Sequence, residues 1–157
     1  PAGTSIIVEA LTDNRNRTAS NVRSTFQKFG GSLGETGSVS HAFKHYGFLK
    51  FNKDITTEDE FFNFSIENGA EDCFLEEDEY ETVCLPDALS KFYDLLASKY
   101  GEPVSSGFQW RPNILVKVEG DRLKSLINLI NELDSDEDVQ HIFSNFEAND
   151  EELSRIA

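Results

Sequence analysis

The run Ile6-Ile7-Val8-Glu9-Ala10-Leu11 leads straight into Thr12-Asp13-Asn14-Arg15-Asn16-Arg17-Thr18, and beyond it Ala19, Val22, Phe26 and Phe29 recur at three- and four-residue spacing. An almost unbroken apolar run between polar residues predicts a strand buried on both faces or nearly so. The spacing that follows predicts an amphipathic helix starting at or just after Thr18, with Thr18 as its cap. The chain therefore mixes strand and helix from its first elements, and two arginines and two asparagines crowd the corner between them. Helix starts leave N–H groups without partners and carry a partial positive charge, and arginine adds planar, permanently charged forks beside them. Such a corner suits an anion, phosphate above all.

Working outward, Gly30-Gly31 ends the helix, because glycine tolerates the left-handed conformation favoured just past a helix C-terminus. The run Gly30-Gly31-Ser32-Leu33-Gly34-Glu35-Thr36-Gly37-Ser38 is rich in glycine and predicts a loop, after which Val39, Ala42 and Phe43 return the chain to the core. Gly47-Phe48-Leu49-Lys50-Phe51 opens a second unit as a strand. Thr57 with Glu60 three residues later fits a capping box ahead of Phe61, Phe62 and Ile66, and Asn68-Gly69 stops that helix. Cys73 to Leu85 predicts a hairpin turning at Glu76-Glu77-Asp78-Glu79. Leu89, Phe92, Leu96 and Tyr100 form a further helix between Pro86-Asp87 and Gly101, and Val104 to Trp110 completes a strand. The order β-α-β-β-α-β is the ferredoxin-like arrangement.

From Pro112 the pattern of the first piece returns. Ile114 to Val118 predicts a strand, Leu123, Leu126, Ile127, Ile130 and Leu133 a strong helical stripe, and Val139 to Phe146 another strand. Each flanking piece reads as β-α-β and would leave open sheet edges alone, so the two are predicted to join in one sheet. The expected fold is α/β (α+β) with two small domains. A ferredoxin-like acidic domain at 47–111 is inserted into a discontinuous α/β sandwich domain made of 1–46 plus 112–157. The acidic tail from Glu147 to Ala157 is predicted to fray.

The formal net charge is -15, and it is unevenly spread: residues 1–46 carry 5 basic against 3 acidic side chains, 47–111 carry 5 against 15, and 112–157 carry 4 against 11. A uniformly acidic surface repels phosphate backbones and lacks the counterion-release term that drives non-specific nucleic-acid binding. Any nucleic-acid contact must use a local patch or help from outside this sequence. The hydrophobic fraction of 38% argues against disorder. No apolar run approaches the roughly 20 residues needed to cross a bilayer, and no secretory signal is present, so no membrane partner is expected.

Other chemistries find little footing. The glycine run lacks the strand-to-helix placement of a dinucleotide fingerprint and the Gly-Lys-Ser/Thr of a P-loop. Asp134-Ser135-Asp136-Glu137-Asp138 begins like a calcium loop, but Val139 stands where glycine is required and Asn145 where glutamate is required. His41, His45 and His141 fall in no nucleophile-base order, and no carboxylate pair is singled out. No catalytic residue, metal site or cofactor is expected. Cys73 and Cys84 lie equidistant from Asp78-Glu79, so a hairpin turning there would place them opposite one another; reduced, packed thiols are the favoured reading. Phe48, Phe51, Phe74, Phe108 and Trp110 fall on predicted strands, where core packing is favoured over base stacking.

Two long motifs carry a resemblance. Val8-Glu9-Ala10-Leu11-Thr12-Asp13-Asn14-Arg15-Asn16-Arg17-Thr18 and Gly30-Gly31-Ser32-Leu33-Gly34-Glu35-Thr36-Gly37-Ser38-Val39-Ser40 resemble the YebC family. The likeness continues through Gly69-Ala70-Glu71-Asp72 and ends in Asp138-Val139-Gln140-His141-Ile142-Phe143-Ser144-Asn145. That family includes bacterial proteins labelled transcriptional regulators and a mitochondrial translational activator of cytochrome c oxidase subunit I. The resemblance implies a non-enzymatic regulator of gene expression that associates with the ribosome or RNA, helping synthesis of particular proteins such as those with consecutive prolines. DNA-binding regulation is the alternative, and an acidic scaffold for a basic protein partner a second one. The implied compartment is the cytoplasm, or the mitochondrial matrix for an organellar member. A chain that starts at Pro1 without methionine is expected to lack an upstream segment, and the resemblance implies a basic helical domain there. Arg15 and Arg17 would be phosphate anchors, Asn14 and Asn16 would shape the turn or bond the ligand, and Arg23 and Lys28 would extend the patch. Gly30, Gly31, Gly34, Gly37 and Ser38 would be either a tight connection or a flexible flap against RNA or ribosome.

Overall fold

The computed structural model describes residues 3–35 and 37–156. Strand β1 (Ile6–Ala10) leads into helix α1 (Arg15–Lys28), and a 3-10 turn at Ser40–Ala42 introduces β2 (Phe43–Asn52). Next come α2 (Glu58–Glu67), β3 (Asp72–Glu76), β4 (Glu79–Cys84), α3 (Leu89–Tyr100) and β5 (Ser105–Pro112). The chain continues through β6 (Val116–Lys117), α4 (Gly120–Asp134), β7 (Val139–Ser144), β8 (Phe146–Glu147) and α5 (Asp150–Ile156). The fold is α+β, with helices and mainly antiparallel strand pairs. It divides into two compact units, His45–Trp110 and the residues on either side of that segment, and the divisions fall inside β2 and β5.

The middle unit has one four-stranded sheet in the order β3-β4-β2-β5. With elements in the sequence β-α-β-β-α-β, that strand order is ferredoxin-like. Side chains alternate across a strand, so Gly47, Leu49 and Phe51 share a face with their registered neighbours Cys84, Thr82 and Tyr80. On this face Phe61 of α2 and Phe92 and Leu96 of α3 close the core, and Phe61 stacks on Tyr80 at 4.8 Å between ring centroids. Burying a side chain of this size contributes about 1.5–3 kcal/mol. At Gly47 an added Cβ would lie 2.9 Å from the Leu89 Cβ, so glycine is what lets the start of α3 approach β2 this closely. Thr57 caps α2 by accepting a bond from the Glu60 N–H at 3.3 Å. The Glu60 carboxylate turns to Thr56, Lys99 and Tyr100.

Two expectations change in this unit. The hairpin turns at Glu77-Asp78, so Cys73 is registered with Thr82 and not with Cys84, and both thiols are free. Burial pushes both thiols above their ordinary range, Cys84 to about 11. Among the strand aromatics Phe51 is buried, but Phe108 is 49% exposed. Trp110 stacks on His45 at 4.3 Å between centroids.

The outer unit packs Val22 and Phe26 of α1 against Leu123, Leu126, Leu129 and Leu133 of α4, with Val118 and Val139. The expected single sheet is replaced by two short ladders, β1 with β7 antiparallel and β6 with β8 parallel. Buried Asn145 makes the break. Its Oδ1 accepts from the Ser5 N–H at 2.8 Å and its own N–H donates to the Ser5 carbonyl, while its carbonyl accepts from the Val116 N–H at 2.7 Å. Pairing thus passes from β1 on one side to β6 on the other at this residue. The first flanking piece is not β-α-β, since after α1 the chain runs through a loop into β2, which belongs to the middle sheet. Strand β6 is shorter than the expected 114–118, with Ile114 and Leu115 exposed. Strand β1 is half-buried from Ile6 to Glu9 and exposed at Ala10.

The tail is helical from Asp150 to Ile156 and not frayed over those residues. Asn149 accepts from the Glu151 N–H at 2.8 Å, acidic residues fill the first turn where a helix dipole favours them, and Leu153 and Ile156 pack on the core.

Candidate nucleic-acid interface

Helix α1 begins three residues earlier than its apolar spacing implies. Asn14, not Thr18, is the cap: its Oδ1 accepts from the Arg17 N–H at 3.0 Å and its carbonyl from the Thr18 N–H at 3.1 Å. Thr12 supports the turn by accepting from the Asn14 N–H at 3.0 Å. Arg15, Asn16 and Arg17 therefore form the first turn, and Thr18, Val22 and Phe26 turn inward. The glycines close the other end. The Gly31 N–H reaches the Phe26 carbonyl at 2.8 Å and the Gly30 N–H the Gln27 carbonyl at 3.2 Å, with Gly30 at φ +81°. This is a Schellman closure, which favours glycine at Gly30.

Arg17 is engaged within the chain. Its Nη2 donates to Asp138 at 3.0 Å and to Asp13 at 3.1 Å. The Thr18 hydroxyl lies 2.7 Å from both the Asp138 carboxylate and the Thr12 hydroxyl, and the Asp138 carbonyl accepts from the Leu11 N–H at 2.8 Å. The Thr18 hydroxyl, and after it the Arg17 guanidinium, hold the Asp138 carboxyl below its usual range. The result is a polar latch between the β1–α1 corner and the connection from α4 to β7. Lys28 is likewise tethered, 3.1 Å from Glu132 and over the Phe29 ring. Arg15, Asn16 and Arg23 are exposed, and their side chains have no hydrogen-bond or ion-pair partner among the described residues.

The rest of the glycine run makes local turns. The Ser38 N–H bonds the Glu35 carbonyl at 2.9 Å, and the Gly37 carbonyl accepts from both the backbone and the hydroxyl of Ser40. An added Cβ on Gly34 would lie 2.4 Å from the Ser38 hydroxyl. Thr36, also in this motif, lies outside the described residues.

The structure thus brings Asn14, Arg15, Asn16, Arg17, Arg23 and Lys28 onto one helix and its cap, with Gly30 and Gly31 closing it. Sequence reasoning missed Asp138 and Thr12. The only signal for Asp138 was its place in an acidic run at a motif boundary, which says nothing of a partner more than a hundred residues away. Helix α1 carries Arg15, Arg17, Arg23 and Lys28 and no acidic residue, in a chain with 29 of them. An exposed cationic helix of this kind can bind an anion by charge-assisted hydrogen bonds. Among the described residues no group of three or more His, Cys, Asp or Glu comes together to hold a metal ion. No helix among them is long and apolar enough to cross a membrane.

Comparison with known proteins places this geometry. The conserved hypothetical protein Aq1575 from Aquifex aeolicus is similar in structure, with a TM-score of 0.84 and 33% sequence identity over 96% of this chain. The chain spans 62% of that protein's length. Residues 1–146 match the family described as TACO1/YebC second and third domain. That match takes in the basic corner, the glycine run, the middle unit and both ladders up to Phe146, and on it the chain belongs to the TACO1/YebC family.

Proposed function

We propose that the protein is a non-enzymatic regulator of gene expression that works on the ribosome or its RNA to promote synthesis of particular proteins. The observation that supports this is helix α1, which has no acidic residue and exposes Arg15 and Arg23 in a chain of net charge -15. Such segregation favours docking of an anionic partner at this helix, against the repulsion of the net negative charge. The sparse positive charge fits a local contact within a larger assembly better than wrapping of duplex DNA, which needs many phosphate contacts. Basic ribosomal proteins offer the acidic middle unit a complementary surface.

Cosedimentation tests it. The full-length protein containing this chain is expected to travel with ribosomes at physiological salt. Absence from the ribosomal fraction, with preferential retention on a promoter duplex over random duplex, would transfer the protein to transcriptional regulation. Recovery of a basic protein partner after nuclease treatment, with no ribosome association, would make it a scaffold.

A further inference from the structure

We infer that the free edge of β5 is a docking site for a basic, extended segment of a partner protein, which pairs with that edge as an added strand. The inference rests on the proposed ribosome role for the source of the partner, and it names the place where the acidic middle unit takes it. In the strand order β3-β4-β2-β5 each outer strand has a single neighbour. A row of main-chain N–H and carbonyl groups therefore faces outward on both. The two edges differ. Strand β3 has five residues and carries Asp72 and Glu76 at its ends, whereas β5 has eight, with no charged side chain from Ser105 to Trp110. Short length and charge are what blunt a sheet edge, and that stretch of β5 has neither.

The Asn113 N–H bonds the Ala42 carbonyl at 2.9 Å, just beyond the paired ends of β2 and β5. Counting back by twos, Arg111 and Gln109 turn their main-chain groups toward β2, and Pro112, Trp110 and Phe108 turn theirs outward. Proline lacks an N–H, and at an outward position that takes nothing from the ladder. Among the described residues no backbone bond outside the ladder reaches Phe108 or Trp110. An aromatic shelf stands beside this edge. Trp110 stacks on His45 at 4.3 Å and Phe108 lies 5.8 Å from the same ring, so both share the His45 face, and Phe108 is half exposed there. Side chains of an added strand alternate between faces, so every second one meets the shelf and is best apolar. Charge selects the occupant. Residues 47–111 carry 5 basic against 15 acidic side chains, so the unit attracts a basic segment and repels an acidic one. A second copy of this chain brings the same sign of charge and is disfavoured.

The test titrates the full-length protein into a labelled peptide of alternating lysine and valine, matched to the eight residues of β5. The peptide is expected to bind saturably at physiological salt and to slow amide hydrogen exchange over 105–112 but not over β3. The same peptide N-methylated at every residue keeps its charge but loses its main-chain donors, and is expected not to bind; nor is its glutamate–valine counterpart. Phe108→Lys is expected to weaken binding at least about tenfold, because it removes part of the shelf and sets a like charge on the edge. Leu85→Lys makes the same change of charge at another exposed site of the unit and is expected to stay within about twofold. Unchanged urea midpoints show that both variants fold, and the exchange pattern and the N-methylated peptide need no variant. Slower exchange in β3 alone, equal binding of the N-methylated peptide, or a folded Phe108→Lys protein that binds as wild type overturns the edge. A wild-type dimer that Phe108→Lys breaks gives the edge to a second copy instead. Wild type that cosediments with ribosomes but ignores the peptide loses the edge alone; wild type that binds the peptide through β5 but stays off ribosomes loses the ribosome role alone.

Discussion

Three donors converge on the Glu60 carboxylate. The Thr56 hydroxyl donates at 2.9 Å, Lys99 stands at 2.5 Å, and the Tyr100 hydroxyl donates as well. Bonds from Lys99 first and Tyr100 second bring its carboxyl down to about 2, while burial and then Glu60 push the Tyr100 hydroxyl up. Because the folded value lies below the ordinary 4.5, the unfolded chain takes up the proton first as pH falls. The stabilisation is full above the ordinary carboxylate range and is lost as pH drops from there toward about 2. Glu60→Gln is expected to be less stable near neutral pH and to converge on wild type in acid, read from urea midpoints across a pH series. Parallel curves for the two proteins would show that Glu60 contributes nothing. The Thr57–Glu60 spacing made the helix start legible. It did not show the carboxylate turning to α3, since a capping box and a long-range ion pair need the same residue.

At the scale of elements, α1 depends on its ends. Asn14→Ala removes the acceptor for the Arg17 N–H and is expected to cost about 1 kcal/mol in urea denaturation, whereas Asn14→Asp keeps the acceptor and should match wild type. Loss of stability in both variants alike would point away from the cap. The inward face of α1 was legible from the spacing of Val22 and Phe26. Its true start was not, because Arg15-Asn16-Arg17 shows no apolar periodicity and Thr18 is as good a cap by composition as Asn14. The hydroxyl of Thr18 is taken by Asp138, which leaves the capping role to Asn14. Helix α5 had its own signal in Asn149 followed by Asp150-Glu151-Glu152, a capping residue ahead of an acidic first turn. Acidic composition masked it, and packing of Leu153 and Ile156 stabilises it.

For the whole molecule the net charge of -15 dominates. Like charges repel one another in the compact state, and salt screens them over about 10 Å at 0.1 M. Raising sodium chloride from low to physiological strength is therefore expected to raise the urea midpoint. A falling midpoint would mean that ion pairs such as Lys53–Asp78 and Lys28–Glu132 outweigh the repulsion. The sequence by itself determined the family, the mixed α+β class, the β-α-β-β-α-β order of the middle unit and the core positions Phe61, Phe92 and Leu96, whereas Ile66, on the same apolar spacing, is exposed. Those features rest on contiguous motifs, local periodicity and turn residues, all written along the chain. Tertiary structure alone decided that Asn145 splits the outer strands into two ladders, that Cys73 faces Thr82, and that Arg17 is latched to Asp138. Each of these turns on which group comes within bonding distance through space. Asp138 reaches Arg17 across 121 residues, a distance over which neither pattern nor propensity carries information.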